Sequence, residues 1–191
     1  MTAEEEDRRR FDGPDDFRAW LEENQDSSTA VWIELAKKGS GLTTVTYAEA
    51  VDIALAYGWI DGQARRIDDV IYMQRFTPRR PQSPWSAKNV QTAEAMIADG
   101  RMKPRGLVEV ERARADGRWE RAYEGSKNAA PHPDFLEALE KHPEAAAFFT
   151  TLNSQNRFAI YYRILDAKRP ETRARRIESF VEKLARGEKF Y

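Results

Sequence analysis

The chain of 191 residues contains no cysteine, so disulfides, thiolate metal sites and thiol nucleophiles drop out together. A reducing compartment suits such a composition. Histidine is almost as scarce. His132 and His142 are the two in the sequence, each directly before a proline, and neither has a partner at metal-ligand spacing. Both read as structural, solvent-facing residues at helix entrances. General acid–base chemistry would then fall to carboxylates, lysine or tyrosine, and neither a metal nor a cofactor is implied. G-x-x-x-x-G-K-[ST], G-x-G-x-x-G and G-x-S-x-G are all missing, which leaves phosphate cradles and nucleophile elbows without support. No run of 18 apolar residues spans a bilayer. The acidic opening Met1-Thr-Ala-Glu-Glu-Glu-Asp7 lacks the basic start and apolar stretch of an export signal. A soluble, cytoplasmic chain without membrane insertion is expected.

What is present is globular in kind: 41% hydrophobic residues, 11% aromatics and five tryptophans, richer in aromatics than a disordered chain. The length suits one domain. Charge is uneven along it. Lys and Arg set against Asp and Glu give −7 over residues 1–58, +3 over 59–90, −2 over 91–156 and +5 over 157–191. An acidic first part facing two basic segments points to internal complementarity or to an anionic partner.

Periodicity and turn chemistry order the chain. Residues 1–12 read as a flexible charged tail, and 13–191 as a single α+β domain with a sub-boundary near 118–131. Pro14 opens a helix to Asn24 carrying Phe17, Trp20 and Leu21 at helical spacing. Residues 29–38 alternate, with Val31, Ile33 and Leu35 on one side and Trp32 and Glu34 on the other, as in a half-buried strand. Thr46-Tyr-Ala-Glu49 forms a capping box for a helix that Gly58 ends. The runs 59–67 and 70–77 form an antiparallel hairpin with Asp68-Asp69 at its tip. Pro78, Pro81 and Pro84 impose an extended connector. Ser86 then caps a helix over 87–99, and Pro104 opens another to Asp116. The last third is helical, with starts at Pro133 and Pro143, a Ser154 cap, and a final start at Pro170. The fold class is α+β: a small antiparallel sheet packed with several helices.

The most functional-looking stretch runs from Trp59 to Asn89. Arg75, Arg79, Arg80 and Lys88 supply charge. Trp59, Phe76 and Trp85 supply apolar or stacking surface, and Ser86 and Asn89 offer polar groups at a helix start. Arginine forks bind carboxylates and phosphates at two points, and flat rings cap or stack on ligands. A binding site for an anionic small molecule or an acidic protein surface would need these groups to converge. In the structural alternative, the prolines route the chain, Trp85 packs, and the arginines pair with the acidic N-terminal part. Asp61, between the bulky Trp59-Ile60 pair and Gly62, is the weak catalytic candidate, with Arg75 as a partner in an enzyme acting on a small anionic substrate. The basic helix with Arg173, Arg175, Arg176, Lys183 and Arg186 joins the 59–90 segment in a third reading, nucleic-acid binding. Glu178 and Glu182 interrupt that helix and favour a solvated face.

The segments Ala54-Leu-Ala-Tyr-Gly-Trp-Ile-Asp-Gly-Gln63, Tyr72-Met-Gln-Arg-Phe-Thr-Pro-Arg-Arg-Pro81, Trp85-Ser86, Asn89, Gly100-Arg-Met-Lys-Pro104, Arg157-Phe-Ala-Ile-Tyr-Tyr-Arg163 and Pro170 to Ile177 resemble the YdeI/OmpD-associated family, also labelled bacteriocin-protection proteins. The resemblance extends over nearly the whole chain after about residue 10. It implies a link to porin expression and to survival of bacteriocins or cationic peptides. It supplies no reaction and no catalytic residues to carry over.

Overall fold

Twelve elements follow one another in the computed structural model, which describes residues 7–125 and 128–190. They are β1 (Arg8–Arg10), α1 (Pro14–Asn24), β2 (Val31–Ala36), α2 (Tyr47–Ala56), β3 (Trp59–Arg66), β4 (Ile71–Pro78), α3 (Ala87–Ala98), α4 (Pro104–Ala115), α5 (Pro133–Glu140), α6 (Pro143–Thr151), α7 (Ser154–Leu165) and α8 (Pro170–Ala185). The fold is α+β with a helical C-terminal third, and the chain divides into two units after Ala122.

The first unit holds the sheet, in the order β1-β2-β4-β3. β2 and β3 run antiparallel to β4. β1 runs parallel to β2, so the sheet is mixed rather than purely antiparallel. Period-2 alternation puts Val31, Ile33 and Leu35 on the face of Phe76 and Gln74, with which they share the core. α1 lays Phe17, Trp20 and Leu21 onto that face. Phe17 meets Phe76 at 5.7 Å between ring centres, and Trp20 meets Trp59 edge-on at 5.8 Å. Full burial of each such ring contributes about 1.5–3 kcal/mol.

Trp32 departs from the expected half-buried pattern. It stands on the outer face yet is 1% exposed, with the Arg65 guanidinium 4.7 Å above its ring. Arg8–Arg10, expected within a flexible tail, form the edge strand β1 instead. Arg8 and Arg10 both reach Glu34, at 2.6 and 2.7 Å, and the Trp32 amide donates to the Asp7 carbonyl. The rest of that tail, residues 1–6, lies outside the described residues. Burial pushes the Glu34 carboxyl up, but the hydrogen bonds and charges of Arg10 and Arg8 outweigh it and hold the group below the usual carboxylate range.

The capping box at Thr46 and Glu49 is formed in full, and Gly58 leaves α2 with φ +72°. The α2 end packs closely on the start of α4. The Lys103 amide donates to the Ala56 carbonyl at 3.1 Å. A Cβ at Gly106 would lie 2.2 Å from that same oxygen and 2.5 Å from the Met102 sulfur. At the hairpin tip, Asp68 accepts from the Val70 and Ile71 amides, which hold its carboxyl low. Pro78 ends β4 opposite Trp59. Proline lacks an amide hydrogen, and the next residue, Arg79, donates to the Gly58 carbonyl instead. Beyond it the expected extended connector folds into a turn, closed by Ser83 N–H to the Arg80 carbonyl and Arg80 N–H to the Ser83 hydroxyl.

The second unit is α5 to α8 around Phe135, Leu139, Ile160, Ile164, Phe180 and Leu184. Asn153, not Ser154, caps α7, its side chain accepting from the Asn156 amide. Asn156 is itself buried, and its side-chain oxygen Oδ1 accepts from the Phe190 amide at 2.9 Å.

Candidate functional site

The residues singled out between Trp59 and Asn89 separate into two groups. Trp59, Phe76 and Trp85 are 1%, 0% and 2% exposed, and all three belong to the core of the first unit. They offer no ring to a ligand. Arg79 joins them. Its guanidinium lies 3.8 Å from the Trp85 ring centre and donates to the Pro84 carbonyl at 3.1 Å, while Trp85 packs on Trp119 at 4.8 Å. This stack clamps the turn after β4 to the body of the unit. The Ser86 hydroxyl accepts from the Asn89 amide and caps α3, so Ser86 and the Asn89 backbone serve the helix start. Lys88 is exposed on the first turn of α3.

Asp61 and Arg75 do not converge. Asp61 pairs with Phe76 across the hairpin, and Arg75, one residue earlier, points to the opposite face beside Trp32. The Asp61 carboxylate accepts from the Tyr47 hydroxyl at 2.7 Å.

The second group gathers where β2 begins and β4 ends. Arg75, Thr77, Arg79 and Arg80 line one wall of a cleft of about 480 Å³. The loop from Gln25 to Thr29, between α1 and β2, forms another wall. Arg105, on the first turn of α4, completes the cleft. It reaches Asp26 through one terminal nitrogen. Its Nε is buried without a hydrogen-bond acceptor among the described residues. The Arg80 side chain is exposed, with no hydrogen bond or ion pair among the described residues. Sequence reasoning named Arg75, Arg79 and Arg80 but missed Arg105 and the 25–29 loop. A linear reading holds no signal that joins positions about eighty residues apart. The available hint was a polar Asp-Ser-Ser run between a helix and a strand.

Two other depressions gather fewer arginines, and several of their charged groups are engaged within the fold. One, of about 590 Å³, is lined by Arg18, Tyr57, Arg101 and Lys103 among others. There Arg101 pairs with Asp99, and both Tyr57 and Lys103 donate to Glu22. The Tyr57 hydrogen bond and Lys103 hold the Glu22 carboxyl below its ordinary value. Burial and the Glu22 contact raise the Tyr57 hydroxyl well above its own. The other, of about 330 Å³, lies in the second unit beside Arg157, whose guanidinium donates to the Thr150 carbonyl. Among the described residues no group of three or more His, Asp or Glu could hold a metal ion, and no helix is long and apolar enough to cross a membrane.

Comparison with known families divides the chain much as its units do. Residues 9–109, over half of the chain, match the family described as a domain of unknown function (DUF8412), and the chain belongs to that family. Residues 128–187 match the family described as "Bacteriocin-protection, YdeI or OmpD-Associated". The expected resemblance is therefore shown over the helical second unit, while the motifs between Ala54 and Pro104 fall within the first match. No curated protein matches the chain, and no solved structure does.

Proposed function

We propose that this chain is an anion-binding protein and that the cleft between the 25–29 loop, the end of β4 and the start of α4 is its ligand site. The carrying observation is the convergence of Arg80 and Arg105, from elements distant in sequence, on one cleft also lined by Arg75 and Arg79. Guanidinium forks bind carboxylates and phosphates at two points. The hydroxyls of Ser27, Ser28, Thr29 and Thr77 add neutral hydrogen-bonding capacity. We further propose that this binding serves protection from bacteriocins, a reading supported by the description of the family that residues 128–187 match. The enzyme reading loses support because Asp61 and Arg75 face opposite sides of the sheet. A thermal-shift screen of carboxylates, phosphates and nucleotides tests the proposal. A ligand at a hundred times its dissociation constant stabilises by about 2.7 kcal/mol. The melting temperature should rise for the wild type and rise less for Arg80→Ala and Arg105→Ala. Equal shifts in all three proteins, or no shift with any anion, would refute the assignment.

A further inference from the structure

Resting on that reading, we infer that the ligand is a phosphomonoester dianion and that its phosphoryl group takes the place the Asp26 carboxylate holds on Arg105. In the cleft, Arg105 meets one internal anion among the described residues, Asp26. That pair joins the α1–β2 loop to α4 across 79 residues, but it is loosely built. The Asp26 side chain is 78% exposed, so the contact is cheap to break. It also engages one terminal nitrogen of the Arg105 fork, and among the described residues the other terminal nitrogen makes no hydrogen bond. An oxyanion with several oxygens around one centre can take both terminal nitrogens.

Charge sets the class of ligand. Once Asp26 is displaced, Arg105 and Arg80 present two positive charges without using Arg75 or Arg79, which other contacts engage. A phosphomonoester carries about −1.5 to −2 at neutral pH, which matches two guanidinium groups. A monocarboxylate neutralises one. The cleft volume of about 480 Å³ exceeds what a bare phosphoryl group occupies. Pro78, Pro81 and Thr77 offer a wall for an organic body. Asp26 then sets a threshold: it competes with every anion for Arg105, and a dianion held by two guanidinium groups clears that threshold more readily than a monoanion.

Titration calorimetry at constant ionic strength tests this with glycerol 3-phosphate, inorganic phosphate and acetate on the wild type and on Asp26→Asn, Arg80→Ala, Arg105→Met and the Asp26→Asn/Arg105→Met double variant. Glycerol 3-phosphate should bind most tightly and acetate most weakly. Removing the competing carboxylate should tighten glycerol 3-phosphate binding roughly two- to fivefold, the scale of an exposed ion pair, and the gain should vanish when Arg105 is Met. Acetate binding as tightly as the phosphomonoester, or an unchanged affinity in Asp26→Asn, overturns this inference and leaves an Arg80-dependent anion site standing. Absence of Arg80-dependent binding by any probe overturns the site and the inference together. Because Asp26 is exposed, the Asn variant keeps the fold, and its melting curve verifies that.

Discussion

Replacing Gly106 by alanine sets two physical effects against each other. Alanine favours a helix interior over glycine by about 1 kcal/mol, and on that ground alone the variant would be more stable. The added Cβ, however, would stand 2.2 Å from the Ala56 carbonyl oxygen and 2.5 Å from the Met102 sulfur. Ordinary contact needs roughly 3.5 Å, so α4 must back away from α2 by about an ångström. The oxygen is backbone and cannot swing aside as a side chain could. Retreat stretches the Lys103-to-Ala56 hydrogen bond and loosens Met102 and Val110, both buried. Overpacking of this kind costs about 1–3 kcal/mol, and a fixed carbonyl puts it at the upper end. After the helix-propensity gain, about 2 kcal/mol of destabilisation remains. For a chain of this size that is a fall of roughly 4–8 °C in melting temperature. All five tryptophans lie in the first unit, so a fluorescence melt reads that unit. Gly13→Ala is the control: its φ of −161° suits any residue and nothing lies within 4 Å of its Cβ, so its melt should show only the loss, about 0.5–1 kcal/mol, of alanine at a helix N-cap. A melting temperature for Gly106→Ala equal to or above the wild type would show that the crossing has slack, and the close-contact reasoning would be wrong.

Two further outcomes follow from the site and its surroundings. Arg79→Ala should lower stability by about 2–3 kcal/mol in chemical denaturation, because it removes a desolvated cation–π stack on Trp85 and a bond to Pro84; Arg80→Ala should stay within about 0.5 kcal/mol of wild type as an exposed substitution. A large loss for Arg80 or none for Arg79 would reverse their assigned roles. Glu34 has a lowered pKa in the folded chain, so its stabilising contribution is present above the ordinary carboxylate value of 4.5 and fades as pH falls through the lower folded value. The stability gap between wild type and Glu34→Gln should accordingly be full at neutral pH and close on acidification. A gap independent of pH in denaturant titrations would show that Arg8 and Arg10 do not act through the Glu34 charge.

Most of the fold was legible because its signals are local. The Thr46–Glu49 capping box, the prolines at first helical turns, Gly58 after α2 and the β-rich runs about Asp68-Asp69 each fix a boundary within a few residues. β1 was not legible. Three consecutive arginines have no strand signature, and what orders them is Glu34 and the β2 backbone, both supplied by tertiary structure. Trp32 misled for the same reason: alternation assigns it to the outer face correctly, yet cannot show that Arg65 covers it across two intervening strand pairings. The candidate site was half legible. Composition marked the arginine cluster but could not tell that Arg79 and Trp85 are a clamp, nor that Arg105 comes in from another helix. Both facts depend on chain reversals that no spacing encodes.

The order of the sheet has a bearing on how copies of this chain meet. Its two outer strands, β1 and β3, both carry arginine: Arg8, Arg9 and Arg10 on one, Arg65 and Arg66 on the other. Open strand edges invite pairing with another molecule, and charge along an edge discourages it. Both edges therefore carry positive charge toward any sheet that approaches them. The residues that hold β1 in place through Glu34 thus also place on that edge the charge that disfavours such pairing.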